Sequence, residues 1–320
     1  MGYDPNHAPT GEMAAQLSGS NPRLRELAAA YALDQSPMSA KTLWSDELVA
    51  DDVHLHYFRG DNLYVWQYTR SPIMNRYRNF IYAKYLAGID ERGLLGQLEE
   101  DGAFGCLTWE YAGLGVVSRD LLDSIAELTF LDAHAGLFDR PGLRVLDIGA
   151  GYGRLAHRML MAAPNVSHYY CVDAVPRSTF LSELYMKYRG LGERATVIEL
   201  PDVTTALRPG HIDLAVNIHS FSEMPLTAIR GWLRTLCHAT VPQLLVVPNE
   251  AVGLTSRELD GTRIPCLPVF EEVGYRLRTS TPTIQDPAVS DLLDVRDNFL
   301  FFELDEPKAR VSTRADSALG

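Results

Sequence analysis

Short apolar runs recur through the second half of the chain, separated by stretches with helical spacing. The runs near 144–148, 168–172, 195–200, 212–217, 243–248, 275–280 and 298–304 have the length and β-branched content of buried strands. Strands alternating with helices predict an α/β fold with a seven-stranded, mainly parallel, doubly wound sheet. Only a loop, residues 282–288, separates the last two runs, so those strands are expected to pair antiparallel. The leading part reads differently. Residues 24–31 are strong helix formers, and 73–86 carry apolar side chains at helical spacing. Ser118 is placed to cap a helix, with Asp120 at its positive end and Leu122, Ile125, Leu128 and Leu131 as its apolar stripe. Residues 21–140 are therefore expected to form a mainly helical cap ahead of a catalytic domain at 141–306. The polar, small-residue segments 1–20 and 307–320 read as loose tails.

The chemistry concentrates at the first strand of that domain. Asp147 stands near its end, Gly149, Gly151 and Gly153 follow at alternate positions, and 154–160 reads as a helix. Glycine has no Cβ and takes positive φ easily, so a ligand can lie against its backbone. Strand, glycine loop and helix N-terminus make the first nucleotide-binding crossover of an open α/β sheet. A dinucleotide fingerprint needs a third glycine where Arg154 stands, which argues against an NAD-dependent oxidoreductase. The second strand leads to Asp173, 20 residues after Gly153, where a carboxylate can accept from both ribose hydroxyls.

Composition narrows the partners. The 320 residues carry 29 Lys+Arg against 41 Asp+Glu, a net charge of −12, which argues against nucleic acid. The start is polar and 18 apolar residues never run together, so no membrane span and a cytoplasmic location are expected. The four cysteines are scattered, with Cys171 and Cys237 in apolar contexts that suit buried thiols. His54 and His56 alternate onto one face but lack a third ligand at a recognised spacing, and no metal is expected.

The Asp147-x-Gly149-x-Gly151-x-Gly153 pattern is the first motif of S-adenosylmethionine-dependent methyltransferases, and the chain resembles that superfamily. With residues 171–178, 217–224 and 60–67 it is similar to the sugar O-methyltransferases and, more narrowly, to actinobacterial enzymes that methylate mannose units of methylmannose polysaccharides. The resemblance implies a Rossmann-like class I methyltransferase fold, S-adenosylmethionine as cofactor with S-adenosylhomocysteine as product, and in-line transfer to a sugar hydroxyl. It assigns Asp147, Gly149, Ala150, Gly151, Gly153, Arg154, Asp173, Ala174 and Asn217 to the cofactor. Asp202 and Val203 would meet the adenine, although Asp202 reads equally well as a solvated turn acid.

Methyl transfer to a hydroxyl needs a base, and His219 at the end of the fourth strand suits neutral pH. Glu223 would share its face if a helix starts there, to orient His219, bind the acceptor or act as base itself. Alternatively Ser220 or Ser222 caps that helix and Glu223 completes a capping box. Tyr64, Gln67 and Arg70 are acceptor candidates, and Glu110, Tyr111 and Arg119 could belong to a lid. Tyr77, Phe80 and Tyr85, at helical spacing, read as core. An aromatic cap would also suit a homodimer. A polyketide, phenolic or amine acceptor, and an inactive methyltransferase-like binding protein, remain as rival readings.

Overall fold

The computed structural model describes residues 2–249 and 253–305; the expected C-terminal tail, 307–320, lies outside the described residues. Seven strands form one sheet: β1 (Leu143–Ile148), β2 (Val166–Val172), β3 (Ala195–Ile198), β4 (Leu214–His219), β5 (Gln243–Pro248), β6 (Tyr275–Pro282) and β7 (Asn298–Leu304). Their order is β3-β2-β1-β4-β5-β7-β6. The first five pair in parallel, and β7 runs antiparallel between β5 and β6. This is the seven-stranded, mainly parallel, doubly wound sheet that the sequence predicts. The central strands are apolar on both faces because helices cover both: Val145, Leu146 and Ile148 are fully buried.

The main helices are α1 (Pro22–Leu33), α2 (Pro72–Ile89), α3 (Arg119–Ala135), α4 (Arg154–Ala162), α5 (Pro176–Tyr188), α6 (Leu226–His238), α7 (Leu267–Val273) and α8 (Pro287–Leu293). Helix α8 interrupts what the sequence suggests is a plain loop before β7. In α3 the Ser118 hydroxyl accepts from the Leu121 N–H at 3.0 Å, and Leu122, Ile125, Leu128 and Leu131 are buried. Phe130 of α3 stacks on Phe299 of β7 at 4.4 Å, so α3 covers the sheet itself.

The leading region is tied closely to the sheet, and one apolar core runs from Leu17 to Phe302. The Tyr31 hydroxyl of α1 bonds Thr179 of α5 at 2.8 Å. A buried four-charge cluster adds a second tie. Arg59 meets Glu100 at 2.8 Å and Asp120 at 3.1 Å, and Arg158 meets the same two carboxylates at 2.6 and 3.0 Å.

Three expectations need correction. Residues 2–20 do not hang loose: Tyr3 stacks on Tyr57 at 3.9 Å, the Asp4 N–H donates to the Gly105 carbonyl at 3.0 Å, and Leu17 is buried. A few apolar groups among polar neighbours suffice to dock the segment. Tyr77 and Phe80 are not core but 61% and 40% exposed, and Tyr85 is half-buried. The inward face of α2 includes Asn75 and Asn79, whose side-chain N–H groups donate to local carbonyls, so polarity along the helix misreports its orientation. Cys171 is buried, but Cys237 is only half-buried. Among the described residues no helix is long and apolar enough to cross a membrane.

Candidate active site

In a doubly wound sheet the crevice opens where the strand order reverses, here between the carboxyl ends of β1 and β4. The glycine loop after β1 is shaped by contact with the turn after β4. A Cβ on Gly149 (φ +76) would stand 2.3 Å from the Ser220 hydroxyl oxygen, so only glycine lets the two loops close together. Gly153 has another role. Its missing Cβ would meet Met186 at 2.9 Å, so it spaces α4 from α5 and does not line the cavity as the resemblance implies.

A cavity lies over this loop, about 960 Å³ when its opening to solvent is counted. Asp147, Gly149, Ala150, Gly151, Arg154, Asp173 and Ala174 line its floor and sides. Met38, Lys41, Thr42 and Trp44 line the opposite wall. Asp173 accepts from the Gly151 N–H at 2.9 Å and from the Val175 N–H at 2.8 Å, one on each oxygen. Burial pushes its carboxyl up to about 6 against the pull of those two donors. Asp147 accepts from the Tyr169 hydroxyl at 2.9 Å, and burial pushes it up to about 7. Arg154 is clamped by Glu127 through two bonds of 2.7 and 2.9 Å.

Besides Gly153, three residues assigned to the cofactor are not in the lining of this cavity. Asp202 is exposed and Val203 buried, and neither lines it. The strap at 38–44 encloses the cavity instead. Asn217 is buried and braces the turn: its amide donates to the Ile148 carbonyl at 2.8 Å, and its side-chain oxygen accepts from the Phe221 N–H at 2.9 Å.

A second, open cleft of about 1,620 Å³ adjoins the first, and His219, Glu223, Tyr64, Trp44 and Arg154 line both. His219 holds φ +67, a backbone conformation costly for a β-carbon residue, which turns its ring out at the strand end. Its Nε2 lies 3.5 Å from Asp297 Oδ2 and its side chain stays 40% exposed. Enclosure by the cleft walls would lower the imidazole pKa. The hydrogen bond and charge of Asp297, with Glu223 and Glu127 adding theirs, hold it above the ordinary value.

Glu223 is buried and held by one donor on each carboxylate oxygen, accepting from the Asn249 amide at 3.0 Å and from the Trp44 indole N–H. The capping box does not form. Residues Ser220–Glu223 make a short tight turn, the Ser222 hydroxyl donates to the His219 carbonyl at 2.8 Å, and Glu258 accepts from the first N–H of α6 at 3.0 Å.

Among the acceptor candidates, Tyr64, Gln67 and Arg119 line the second cleft. Tyr64 bonds Ser178 at 2.7 Å and Arg119 pairs with Asp123 at 2.7 Å. Arg70 and Glu110 are exposed and line neither cavity, and the Tyr111 hydroxyl is spent on the Arg76 carbonyl. Glu110 and Tyr111 belong to the short hairpin at 108–118, which packs against α2 and α3.

Sequence reasoning missed Asp297 and the strap residues Lys41, Thr42 and Trp44. Asp297 had a usable signal. An antiparallel β7 must begin at the edge where the parallel strands end, so the residue before it arrives at the crevice. Among the described residues, no group of three or more His, Cys, Asp or Glu is placed to hold a metal.

No protein-family model and no curated protein matches the chain. Solved structures similar to it include the cyclase SpnF, at 16% identity and TM-score 0.45 over 72% of this chain and 96% of that one. The mitomycin 7-O-methyltransferase MmcR is similar at 18% identity and TM-score 0.41, over 57% of each chain. A SAM-dependent methyltransferase from Aquifex aeolicus is similar at 13% identity and TM-score 0.40, over 70% of this chain and 98% of that one.

Proposed function

We propose that the protein is an S-adenosylmethionine-dependent O-methyltransferase acting on a sugar hydroxyl. The observation that carries the reading is His219, poised by Asp297 on the wall common to the glycine-loop cavity and the polar, aromatic cleft. The first cavity fits the cofactor on its own features. Its floor is backbone bared by Gly149 and Gly151, and each Asp173 oxygen keeps a lone pair for a ribose hydroxyl. S-adenosylmethionine held there would supply a methyl group on a cationic sulfur.

The chain's own residues do the rest. Nε2 of His219 faces Asp297, which leaves Nδ1 to take the proton of an acceptor hydroxyl. Asp297 fixes the ring and stabilises the imidazolium that forms. Trp44 and Tyr64, shared by both chambers, help to exclude water and to set the acceptor against the cofactor. The mixture of carboxylates, guanidinium groups and aromatic faces in the second cleft suits a sugar better than a flat apolar ring.

The test is mass spectrometry of mannosides, short mannose oligomers, nucleotide deoxysugars and phenols incubated with S-adenosylmethionine. A methylated sugar is expected, with turnover falling about 10²- to 10⁴-fold in His219→Ala. Methylated phenols beside untouched sugars would overturn the acceptor; turnover that survives the substitution would overturn the base.

A further inference from the structure

On the leading-region side of the acceptor cleft, two polar groups have no hydrogen-bond partner and a third, Arg78, has no carboxylate partner among the described residues. Gln67 Oε1 and the Tyr68 hydroxyl are buried and unbonded. Arg78 makes one hydrogen bond, from Nη1 to the Tyr68 carbonyl at 3.3 Å, and no ion pair among the described residues. All three residues line the cleft. The other guanidinium groups there are committed to carboxylates: Arg119 to Asp123 at 2.7 Å, Arg154 to Glu127 at 2.7 Å and Arg296 to Asp291 at 2.6 Å. Arg78 is the exception.

Burying a polar atom without a partner is costly, and native folds keep few such atoms without a reason. Their clustering in a ligand cleft supplies one. Two guanidinium groups lie over the Tyr68 ring, Arg119 at 4.1 Å and Arg78 at 5.8 Å from its centroid, which helps to fix the ring and its hydroxyl. A guanidinium presents parallel N–H donors that match two oxygens of one anion. A neutral sugar would satisfy Gln67 and Tyr68 and leave the free edge of Arg78 unused.

Building on the sugar-methylation reading, we propose that the acceptor bears an oxyanion, a carboxylate or a phosphate, that docks on Arg78 and the Tyr68 hydroxyl. Gln67 Oε1 accepts a neighbouring sugar hydroxyl. The anion anchors the acceptor at the far wall while His219 meets the hydroxyl to be methylated.

Three matched acceptors test this: methyl mannoside, the methyl glycoside of mannuronic acid, and mannose 6-phosphate. Turnover with S-adenosylmethionine is read by mass spectrometry, and binding to the S-adenosylhomocysteine-loaded protein by calorimetry. One anionic acceptor is expected to exceed the neutral one at least tenfold in kcat/KM, and which one identifies the anion. In Arg78→Gln the anionic-to-neutral ratio should fall toward one, and anion binding should weaken tenfold or more. Tyr68→Phe, which keeps the ring, should weaken anion binding several-fold and guards against misfolding of the first variant. Equal or better use of the neutral sugar, or a ratio untouched by Arg78→Gln, overturns the anionic acceptor and leaves sugar methylation standing. Arg78-dependent anion binding without any turnover supports the subsite and overturns the methyltransferase reading. Neither binding nor turnover overturns both.

Discussion

His219 and Asp173 both carry shifted ionisations, and the signs differ in consequence. His219 must be neutral to take a proton, and Asp297 raises its pKa, so activity should climb with pH through a value above 6.5. Asp297→Asn removes the largest stabiliser of the imidazolium. The rising limb of kcat/KM should then move toward acid while the maximum rate falls; an unmoved limb would show that Asp297 does not poise the base. Asp173 must be ionised to accept from ribose hydroxyls, and burial holds it near 6. Affinity for S-adenosylhomocysteine should therefore weaken as pH drops through about 6. Asp173→Asn should cost about 1.5–3 kcal/mol in calorimetry and erase that pH dependence. Asp147, Gly149, Asp173 and His219 were legible because strand ends and glycine spacing place them whatever their neighbours do. Gly153 and Asn217 were legible as positions but not as roles. A glycine that serves the cofactor and one that spaces two helices look identical until the facing side chain, here Met186, is known.

At the scale of elements, the seven strands lie within two residues of their sequence positions; in the central strands, apolar runs buried on both faces leave few alternatives. The leading region resisted the same treatment. Its inward surface is partly polar, as at Asn75 and Asn79, and its largest tie to α3 and α4 is electrostatic. Arg59, Glu100, Asp120 and Arg158 are at most 8% exposed, so each charge depends on the others for compensation. Arg59→Met should strand Glu100 and Asp120 against Arg158 alone and lower stability by about 3–5 kcal/mol in denaturant unfolding. A loss under 1 kcal/mol would mean that water or rearrangement replaces the missing guanidinium. Because Tyr152 of the glycine loop also donates to Asp120, the same substitution should loosen the cofactor cavity.

Across the whole molecule, the leading region closes a crevice that the sheet alone would leave open. The strap at 38–44 lines the glycine-loop cavity together with Asp173, and its short, aperiodic sequence gave no sign of that position. It crosses α6 at Gly231, where an added Cβ would sit 3.0 Å from Pro37. It is tethered at Glu223, whose carbonyl accepts from the Thr42 hydroxyl at 2.8 Å and whose carboxylate accepts from the Trp44 indole. A cofactor seated between this strap and the loop can leave on that side only if the tether opens. Trp44→Phe keeps the ring but removes the bond to a charged acceptor, worth about 1.5–3 kcal/mol. S-adenosylhomocysteine should then dissociate about ten- to a hundredfold faster in stopped-flow measurements, with association changed much less, and hydrogen exchange at 38–44 should rise. An unchanged off-rate would mean that the ligand leaves through the acceptor cleft, past His219. Release would then be governed by whatever fills that cleft, and the strap would be a wall and not a door.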